Sequence, residues 1–304
     1  MTTDGLARVL EAVARDDIDV LLLGRDGNAR FVSGAKRLFL ACERAFAPGC
    51  VVVRATGAVH LLSVGDAGIP PDIPRARLYP ITWNPGALMG VIVAMPGVAG
   101  ARRIGVDGLT PLFDQLIRAF FADADLIDGE ALMREVRRVK TSDEIACIRA
   151  AVAVAQAVMD EARVVARSGR SEREVAAVAM EAMARHGVTT AAFEPVVVRV
   201  DGTTAIDVGV LRDGWEGGLA RTEPGTAAPA EHAAAIARCR AGTPVREVAP
   251  GGEVCGVGAG YEVLEPDREL EPGMVVSIAT WPVRDLVLVT DATPEVLTTA
   301  PYVD

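Results

Sequence analysis

The sequence is poor in aromatic residues, in histidine and in paired cysteines. Aromatic side chains make up 4% of the 304 residues, and there are 3 histidines. The 5 cysteines are odd in number and include no Cys-x-x-Cys pair. This usage is typical of free thiols in a reducing compartment rather than of a disulfide framework or a zinc site. We therefore expect a cytoplasmic protein with unpaired cysteines.

Positive charge and long apolar runs are also scarce. The net charge is -10, and an acidic surface repels phosphate backbones, so we expect no nucleic-acid partner. The longest apolar stretch, residues 86–100, contains Pro96 and is too short to cross a bilayer. The acidic N-terminus has no apolar run of the kind that signal peptides carry. We expect no membrane partner either.

The apolar content is 50%, which is enough to bury a sizeable core. In the first 135 residues, short apolar runs of strand length alternate with helical periodicity, and the stretch 24–28 has the composition of a turn. The strands predicted at 50–55 and 59–64 are joined by a short turn and form a hairpin. The remaining strands are predicted at 18–23 and 103–106, and helices at 4–16 and 112–121. This alternation predicts an α/β domain.

Beyond residue 135 the pattern changes. Thr141 and Ser171 each stand three residues before a glutamate, which predicts two long helices that begin with capping boxes. The first should end near residue 168 and the second near residue 187. Only strand-like segments follow, punctuated by glycine and proline, apart from an alanine-rich stretch at 226–236 with helical propensity. We predict an α/β domain at 1–135 and an α+β domain at 136–304.

Several motifs resemble the Xaa-Pro aminopeptidase/prolidase/creatinase family. The junction carries Arg137, Lys140, Thr141, Glu144 and Ile145 in the spacing with which that family opens its catalytic domain. The segments 19–34 and 102–116 are similar to its N-terminal domain, and 169–188 to its second catalytic-domain helix. The resemblance implies a creatinase-like N-terminal domain, a C-terminal pita-bread domain and a homodimer. It also implies a peptidase or hydrolase with two divalent metals such as Mn, Co or Zn.

The family's five metal ligands are two Asp, one His and two Glu, and the matching positions differ here. The first position retains Asp207, in an Ile-Asp-x-Gly strand. The other four positions are occupied by Gly218, Val257, Ala279 and Arg284. Carboxylates are needed to neutralise and bridge two hard cations, so we predict that no metal binds.

These positions, together with Arg221, define a vestigial pocket. A buried carboxylate without a partner costs several kcal/mol, so we expect a positive group to have replaced the metals beside Asp207. We predict that Asp207 pairs with Arg284, with Arg221 as the alternative. Gly218, Val257 and Ala279 should form the apolar remainder of the wall.

Other features carry competing interpretations. Asp207 is either a polar residue held by a local pair or a remaining ligand or catalytic acid. The run 256–260 is read as the family's glycine loop rather than as a phosphate-binding loop. Cys255 has no histidine nearby to activate it as a nucleophile. Trp215 and Trp281 either flank the pocket or pack in the core. The three histidines, which match no family site, are predicted to be surface or cap residues: His60, His186 and His232.

Three functions follow from this sequence, and it remains open whether the chain is an enzyme. The first is a metal-free pseudo-peptidase with a binding or scaffold role and a small-molecule or peptide ligand. The second is a non-metal hydrolase that acts on a small amide or guanidino compound in the same pocket. The third is an Xaa-Pro metallopeptidase with atypical ligands, for which the available carboxylates are Glu253, Glu262 and Glu265.

Overall fold

The computed structural model describes residues 3–36, 48–63 and 65–302. Two of the residues considered above lie outside this part, namely Cys42 and Val64, the last residue of the strand predicted at 59–64. The chain divides into two compact units, Met1–Val136 and Arg137–Asp304.

The first unit is an α/β layer structure built on one mixed sheet. The strand order is β4-β3-β2-β1-β5-β6, in which β1, β5 and β6 are parallel and β2 runs antiparallel to both neighbours. Its strands are β1 (Val20–Leu23), β2 (Cys50–Val53), β3 (Ala58–Leu62), β4 (Leu78–Tyr79), β5 (Arg103–Val106) and β6 (Asp125–Asp128). Its helices are α1 (Thr3–Arg15), α2 (Asp26–Ser33), α3 (Pro85–Val93), α4 (Pro111–Phe120) and α5 (Gly129–Arg138). The predicted hairpin is confirmed as β2 and β3.

The turn predicted at residues 24–28 is wrong, because α2 begins at Asp26. The Asp107 carboxylate accepts hydrogen bonds from the backbone N–H groups of Gly24 and Arg25, at 2.7 and 3.0 Å. A side chain distant in sequence therefore holds the backbone at the entry to the helix, where the N-cap residue Arg25 provides no side-chain cap.

The second unit is an α+β structure around one curled antiparallel sheet. The strand order is β11-β10-β12-β13-β9-β8-β7, with β14 paired to β13. Its strands are β7 (Val196–Val200), β8 (Thr203–Arg212), β9 (Trp215–Glu223), β10 (Glu253–Gly258), β11 (Gly260–Glu262), β12 (Val275–Thr280), β13 (Val283–Leu288) and β14 (Glu295–Val296). Its helices are α6 (Ser142–Arg167), α7 (Glu172–Arg185), α8 (Ala230–Arg238) and α9 (Val245–Val248).

Both predicted capping boxes are present. The Thr141 hydroxyl accepts from the Glu144 backbone N–H while the Glu144 carboxylate accepts from the Thr141 N–H, and Ser171 and Glu174 repeat the arrangement. The two helices pack through alanine and valine against β8 and β9, where Ile206, Val208 and Leu219 are fully buried. This core fixes β8 and β9, the strands that carry Asp207 and Gly218.

Strand register aligns three of the vestigial positions, Asp207, Arg284 and Ala279, in one row. Residues directly opposite each other in neighbouring strands project to the same face of a sheet. The row crosses β8, β9, β13, β12 and β10 through the residues Asp207, Ala220, Arg284, Ala279 and Glu253. Asp207 and Arg284 are thus two strands apart on a common face.

None of the described helices is long and apolar enough to cross a membrane.

Candidate functional site

The Asp207 carboxylate is held by the Arg284 guanidinium, so the predicted pair is confirmed. Arg284 Nη2 lies 2.5 Å from Asp207 Oδ1, and Nε lies 3.0 and 3.1 Å from the two carboxylate oxygens. Nη2 also donates to the carbonyl of Val208 at 3.0 Å. The side chains are 17% and 9% exposed. Burial raises the pKa of Asp207, and the Arg284 charge opposes that rise.

Gly218 provides the space that the guanidinium fills. A Cβ atom at this position would lie 2.7 Å from Arg284 Nη2 and 2.8 Å from the Val208 carbonyl oxygen. The Phe193 ring supports the guanidinium from another side, with its centre 5.1 Å from Arg284 Cζ. Gly218 therefore makes room for the Arg284 side chain.

Val257 and Ala279 contribute differently from each other. Ala279 is half-buried and stands opposite Arg284 in the register, where a small side chain leaves the row open. Val257 is 1% exposed and packs with Ile148, Val152 and Leu286 in a hydrophobic cluster. The sequence predicted Val257 in the apolar wall beside the ion pair. Because side chains alternate along a strand, Val257 shares a face of β10 with Glu253, which stands opposite Ala279, and its apolar packing is compatible with that prediction.

The residues around Asp207 do not fit two divalent cations. The Asp207 carboxylate is engaged by a guanidinium, and that cation occupies space where positive ions would have to bind. Among the described residues no group of three or more His, Cys, Asp or Glu side chains is arranged to hold a metal.

Glu216 is a member of this site that sequence reasoning missed. It lies on β9, the strand of Gly218, and is 7% exposed. Burial raises its pKa, Arg284 opposes the rise, and Glu262 and Asp207 add to it. Because side chains alternate along a strand, its spacing of two residues from Gly218 already indicated a shared face. The site therefore holds a second buried carboxyl group beside the ion pair.

Arg221 is not part of the Asp207 site. It follows Ala220 on β9 and faces the other side of the sheet, so the alternative pairing with Asp207 is wrong. Its Nη2 donates to Asp285 Oδ1 at 2.7 Å, and its Nη1 donates to the carbonyl of Arg284 at 3.0 Å. The Tyr302 ring lies 4.2 Å from its Cζ. Arg221 is 1% exposed, so this is an interior ion pair.

The Asp285 carboxylate is the centre of that second network. It accepts from Arg221, from the hydroxyls of Thr298 and Tyr302, and from His232 Nε2 at 2.8 Å. Burial acts to raise the pKa of Asp285, but the His232 hydrogen bond, the Arg221 charge and the two hydroxyls together lower it. The carboxylate is therefore ionised at neutral pH.

His232 is an interior residue, and its prediction as a surface or cap residue is wrong. It is fully buried, and its Nδ1 lies 2.7 Å from the Thr280 hydroxyl. Asp285 Oδ2 can only accept from Nε2, so His232 is held between the Asp285 carboxylate and the Thr280 hydroxyl. His60 is also buried, and burial lowers its pKa, so the surface prediction is wrong there too. His186 is the C-cap of α7, as predicted.

The surroundings of Cys255 make its thiol a poor nucleophile. Burial, assisted by Glu216 and Glu253, raises the pKa of its thiol to about 12. A thiol in that state forms almost no thiolate at neutral pH and is a poor nucleophile. This agrees with the sequence interpretation.

The family-like junction has a structural role within the second unit. The Lys140 ammonium lies 2.6 Å from Glu262 Oε2, and Arg137 Nη2 lies 3.4 Å from Glu262 Oε1. All three side chains are nearly inaccessible to solvent. Glu262, which the third functional hypothesis needed as a ligand, is therefore already neutralised by two cations.

The run 256–260 is a tight hairpin rather than a loop. Gly256 to Gly258 belong to β10, and Gly260 begins β11 with a positive φ of 88°. The glycines at 256 and 258 leave room for the Glu262 carboxylate, which a Cβ at either position would contact at 3.1 Å or less. Trp281 is 57% exposed, whereas Trp215 packs against the cluster around Val257.

Solved structures show which fold this is. The chain superimposes on the prolidase from Pyrococcus furiosus with a TM-score of 0.75 and 16% identity, covering 97% of this chain and 99% of that one. For the Xaa-Pro dipeptidase from Bacillus anthracis the TM-score is 0.74 and the identity 18%, covering 99% of this chain and 98% of that one. For the aminopeptidase PepP from Pseudomonas aeruginosa the TM-score is 0.76 and the identity 16%, covering 99% of this chain and 95% of that one. The chain has the prolidase fold, with an α/β unit and a pita-bread unit, as the sequence resemblance implied.

No protein-family model matches the sequence, and the search of curated proteins finds no match.

Proposed function

We propose that this protein is a metal-free pseudo-peptidase of the Xaa-Pro aminopeptidase/prolidase/creatinase family with a binding role. The observation that carries the proposal is the Arg284 guanidinium, which neutralises Asp207 and fills the space above Gly218. Without a metal-activated water the chain lacks the nucleophile of metallopeptidases on this fold. Absence of Xaa-Pro peptidase activity follows.

The first experiment measures metal content and peptidase activity together. Protein purified without chelator is analysed by mass spectrometry for bound metal, and Xaa-Pro dipeptides and longer peptides are assayed with and without added Mn or Co. We expect less than stoichiometric metal and no turnover. Turnover that requires added metal and disappears in Asp207→Ala would refute the proposal.

A second experiment asks whether the lack of ligand side chains is the reason that the wild type binds no metal. The variant Gly218→Asp/Val257→His/Ala279→Glu/Arg284→Glu restores the family's ligand types at all the altered positions. If the fold still positions them, this variant should bind metal where the wild type does not. The Arg284→Glu single variant is the matched control, since it removes the guanidinium without completing the set.

One observation favours the second candidate, a non-metal hydrolase. Glu216 is a buried carboxyl with a raised pKa beside Arg284, which is the environment in which general acids occur. On this alternative Glu216 protonates the leaving group of a small amide or guanidino substrate. Turnover of such compounds that is lost in Glu216→Gln, with thermal stability unchanged, would favour the hydrolase over the binding protein.

The proposal also includes a cytoplasmic location and a homodimer. The four cysteines in the described part of the chain, Cys50, Cys147, Cys239 and Cys255, are free thiols, which supports a reducing compartment. The dimer rests on family analogy and on the prevalence of symmetric dimers.

A further inference from the structure

The first unit contains a shallow cavity of about 370 Å³, open to solvent, at the carboxyl ends of its parallel strands. Arg25 follows β1, Asp107 to Leu109 follow β5, and Asp128 ends β6, so three neighbouring strands contribute to its lining. A cavity of this size accommodates a small ligand. It lies wholly in the first unit and shares no residue with the Asp207 site.

The topology places the cavity where such sheets bind ligands. Val20 and Leu22 of β1 pack against α3 and α4, whereas α2, which follows β1, packs with α1. Leu21 and Leu23 point the other way and are fully buried, so both faces of the sheet are covered. The connection after β1 and the one after β5 thus lead to opposite faces. Ligands of open α/β sheets bind in the crevice at such a switch point.

The lining of the cavity carries both signs of charge. Asp107 is committed to the structure, because its oxygens accept from Gly24, Arg25 and Asn28 at 2.7 to 3.0 Å. The remaining charged groups are two guanidiniums and two carboxylates, those of Arg25, Arg134, Asp128 and Glu130.

Arg25 and Asp128 retain bonding capacity toward a ligand. Arg25 uses Nε for the Asp107 carbonyl at 2.8 Å, its terminal nitrogens donate to no described residue, and its side chain is 62% exposed. Asp128 uses Oδ1 to cap the Ala131 N–H at 2.9 Å and leaves Oδ2 available. The Glu130 carboxylate is 3.5 Å from Arg25 Nε, so it orients that guanidinium only loosely. One cation and one anion, both accessible to solvent, therefore line the same cavity.

We propose that this cavity binds a zwitterionic α-amino acid or dipeptide with an apolar side chain. The ligand carboxylate binds the terminal nitrogens of Arg25 in a two-pronged hydrogen bond, and the ligand ammonium lies at Asp128. Apolar walls formed by Leu109, Leu126 and Ile127 accept the side chain. The charges match a ligand with one group of each sign and no net charge.

The test is isothermal titration calorimetry of the full chain with four probes. L-leucine and leucyl-leucine carry both charges, 4-methylpentanoate carries only the carboxylate, and 3-methylbutylamine carries only the ammonium. We expect at least one zwitterion to bind saturably at millimolar concentration, and each singly charged probe to bind at least about tenfold more weakly. Equal binding of the singly charged probes, or no binding by either zwitterion, overturns the proposal.

Matched variants locate the site. Arg25→Met should abolish binding of the zwitterion, and Asp128→Asn, which keeps the acceptor for Ala131, should weaken it. Arg75→Met removes an 83%-exposed arginine near β4, at the other end of the sheet, and should leave binding unchanged. Circular dichroism melting shows whether each variant is folded, and Arg25→Lys keeps the charge if Arg25→Met does not fold. Unchanged affinity in a folded Arg25 variant overturns the assignment, whatever the outcome at Asp207.

Discussion

The ion pair between Asp207 and Arg284 predicts an unusual order of stabilities among its variants. Arg284→Ala removes three N–H contacts to Asp207 and the donor to the Val208 carbonyl, and leaves a carboxylate that is 17% exposed. Stranding a buried charge in this way costs about 3–5 kcal/mol. The double variant Asp207→Ala/Arg284→Ala strands no charge. We expect it to lose roughly 1–3 kcal/mol, the cost of an unsatisfied buried carbonyl.

The assay is chemical denaturation followed by circular dichroism at neutral pH, with Arg149→Ala as control. Arg149 pairs with Glu295 at 2.7 Å in the same unit, but both side chains are 45% exposed, so its loss should cost about 0–1 kcal/mol. The stranded Asp207 should also make the penalty of Arg284→Ala shrink as the pH falls. Burial alone then raises the pKa of this carboxyl, and protonation removes the charge.

Two results would refute this reasoning. One is an Arg284→Ala variant within error of the Arg149→Ala control, which would mean that the pair contributes no more than a surface contact. The other is a double variant at least as unstable as Arg284→Ala, which would mean that packing rather than charge dominates. In that second case removal of the stranded carboxylate would restore no stability, which a pair dominated by charge requires.

Three further predictions concern the second unit and the assembly. Gly218→Ala should destabilise by about 1–3 kcal/mol in thermal or chemical unfolding, because the new methyl overlaps Arg284 Nη2 and the Val208 carbonyl; unchanged stability would show that the guanidinium is not seated there. Asp285 has a lowered pKa, so the stability it contributes is present above about pH 4 and is lost as the pH falls toward its folded-state pKa. The difference in unfolding free energy between wild type and Asp285→Asn should accordingly narrow on acidification, and a difference constant from neutral pH to acid would contradict the lowered pKa. Sedimentation at micromolar concentration should show a homodimer, and a monomer alone would count against the family analogy.

Local signals in the sequence predicted much of the fold. The capping boxes at Thr141 and Ser171 depend on residues three positions apart, and the strands depend on alternation, so both are readable without tertiary contacts. The Asp207–Arg284 pair was also predictable, because the family resemblance implied that both positions face one metal site and a buried carboxylate needs a positive partner.

The errors all involve partners that are remote in sequence. The helix α2 depends on Asp107, which lies about eighty residues beyond its N-terminus. The interior position of His232 depends on Asp285, which an alanine-rich helix gives no reason to expect.

Two of the interior ion pairs lie on opposite faces of the sheet and use adjacent residues of β13, which contributes the arginine to one pair and the aspartate to the other. On one face Arg284 of β13 meets Asp207, and on the other Asp285 of β13 meets Arg221 of β9. The described pairing of β9 with β13 consists of the single residue pair Arg284–Ala220, so the backbone alone specifies this alignment weakly. A slip of one residue would exchange the faces of Arg284 and Asp285 and set arginine toward arginine and aspartate toward aspartate. The two salt bridges thus favour the observed alignment of β13 with β9, because charge repulsion destabilises the alignment shifted by one residue.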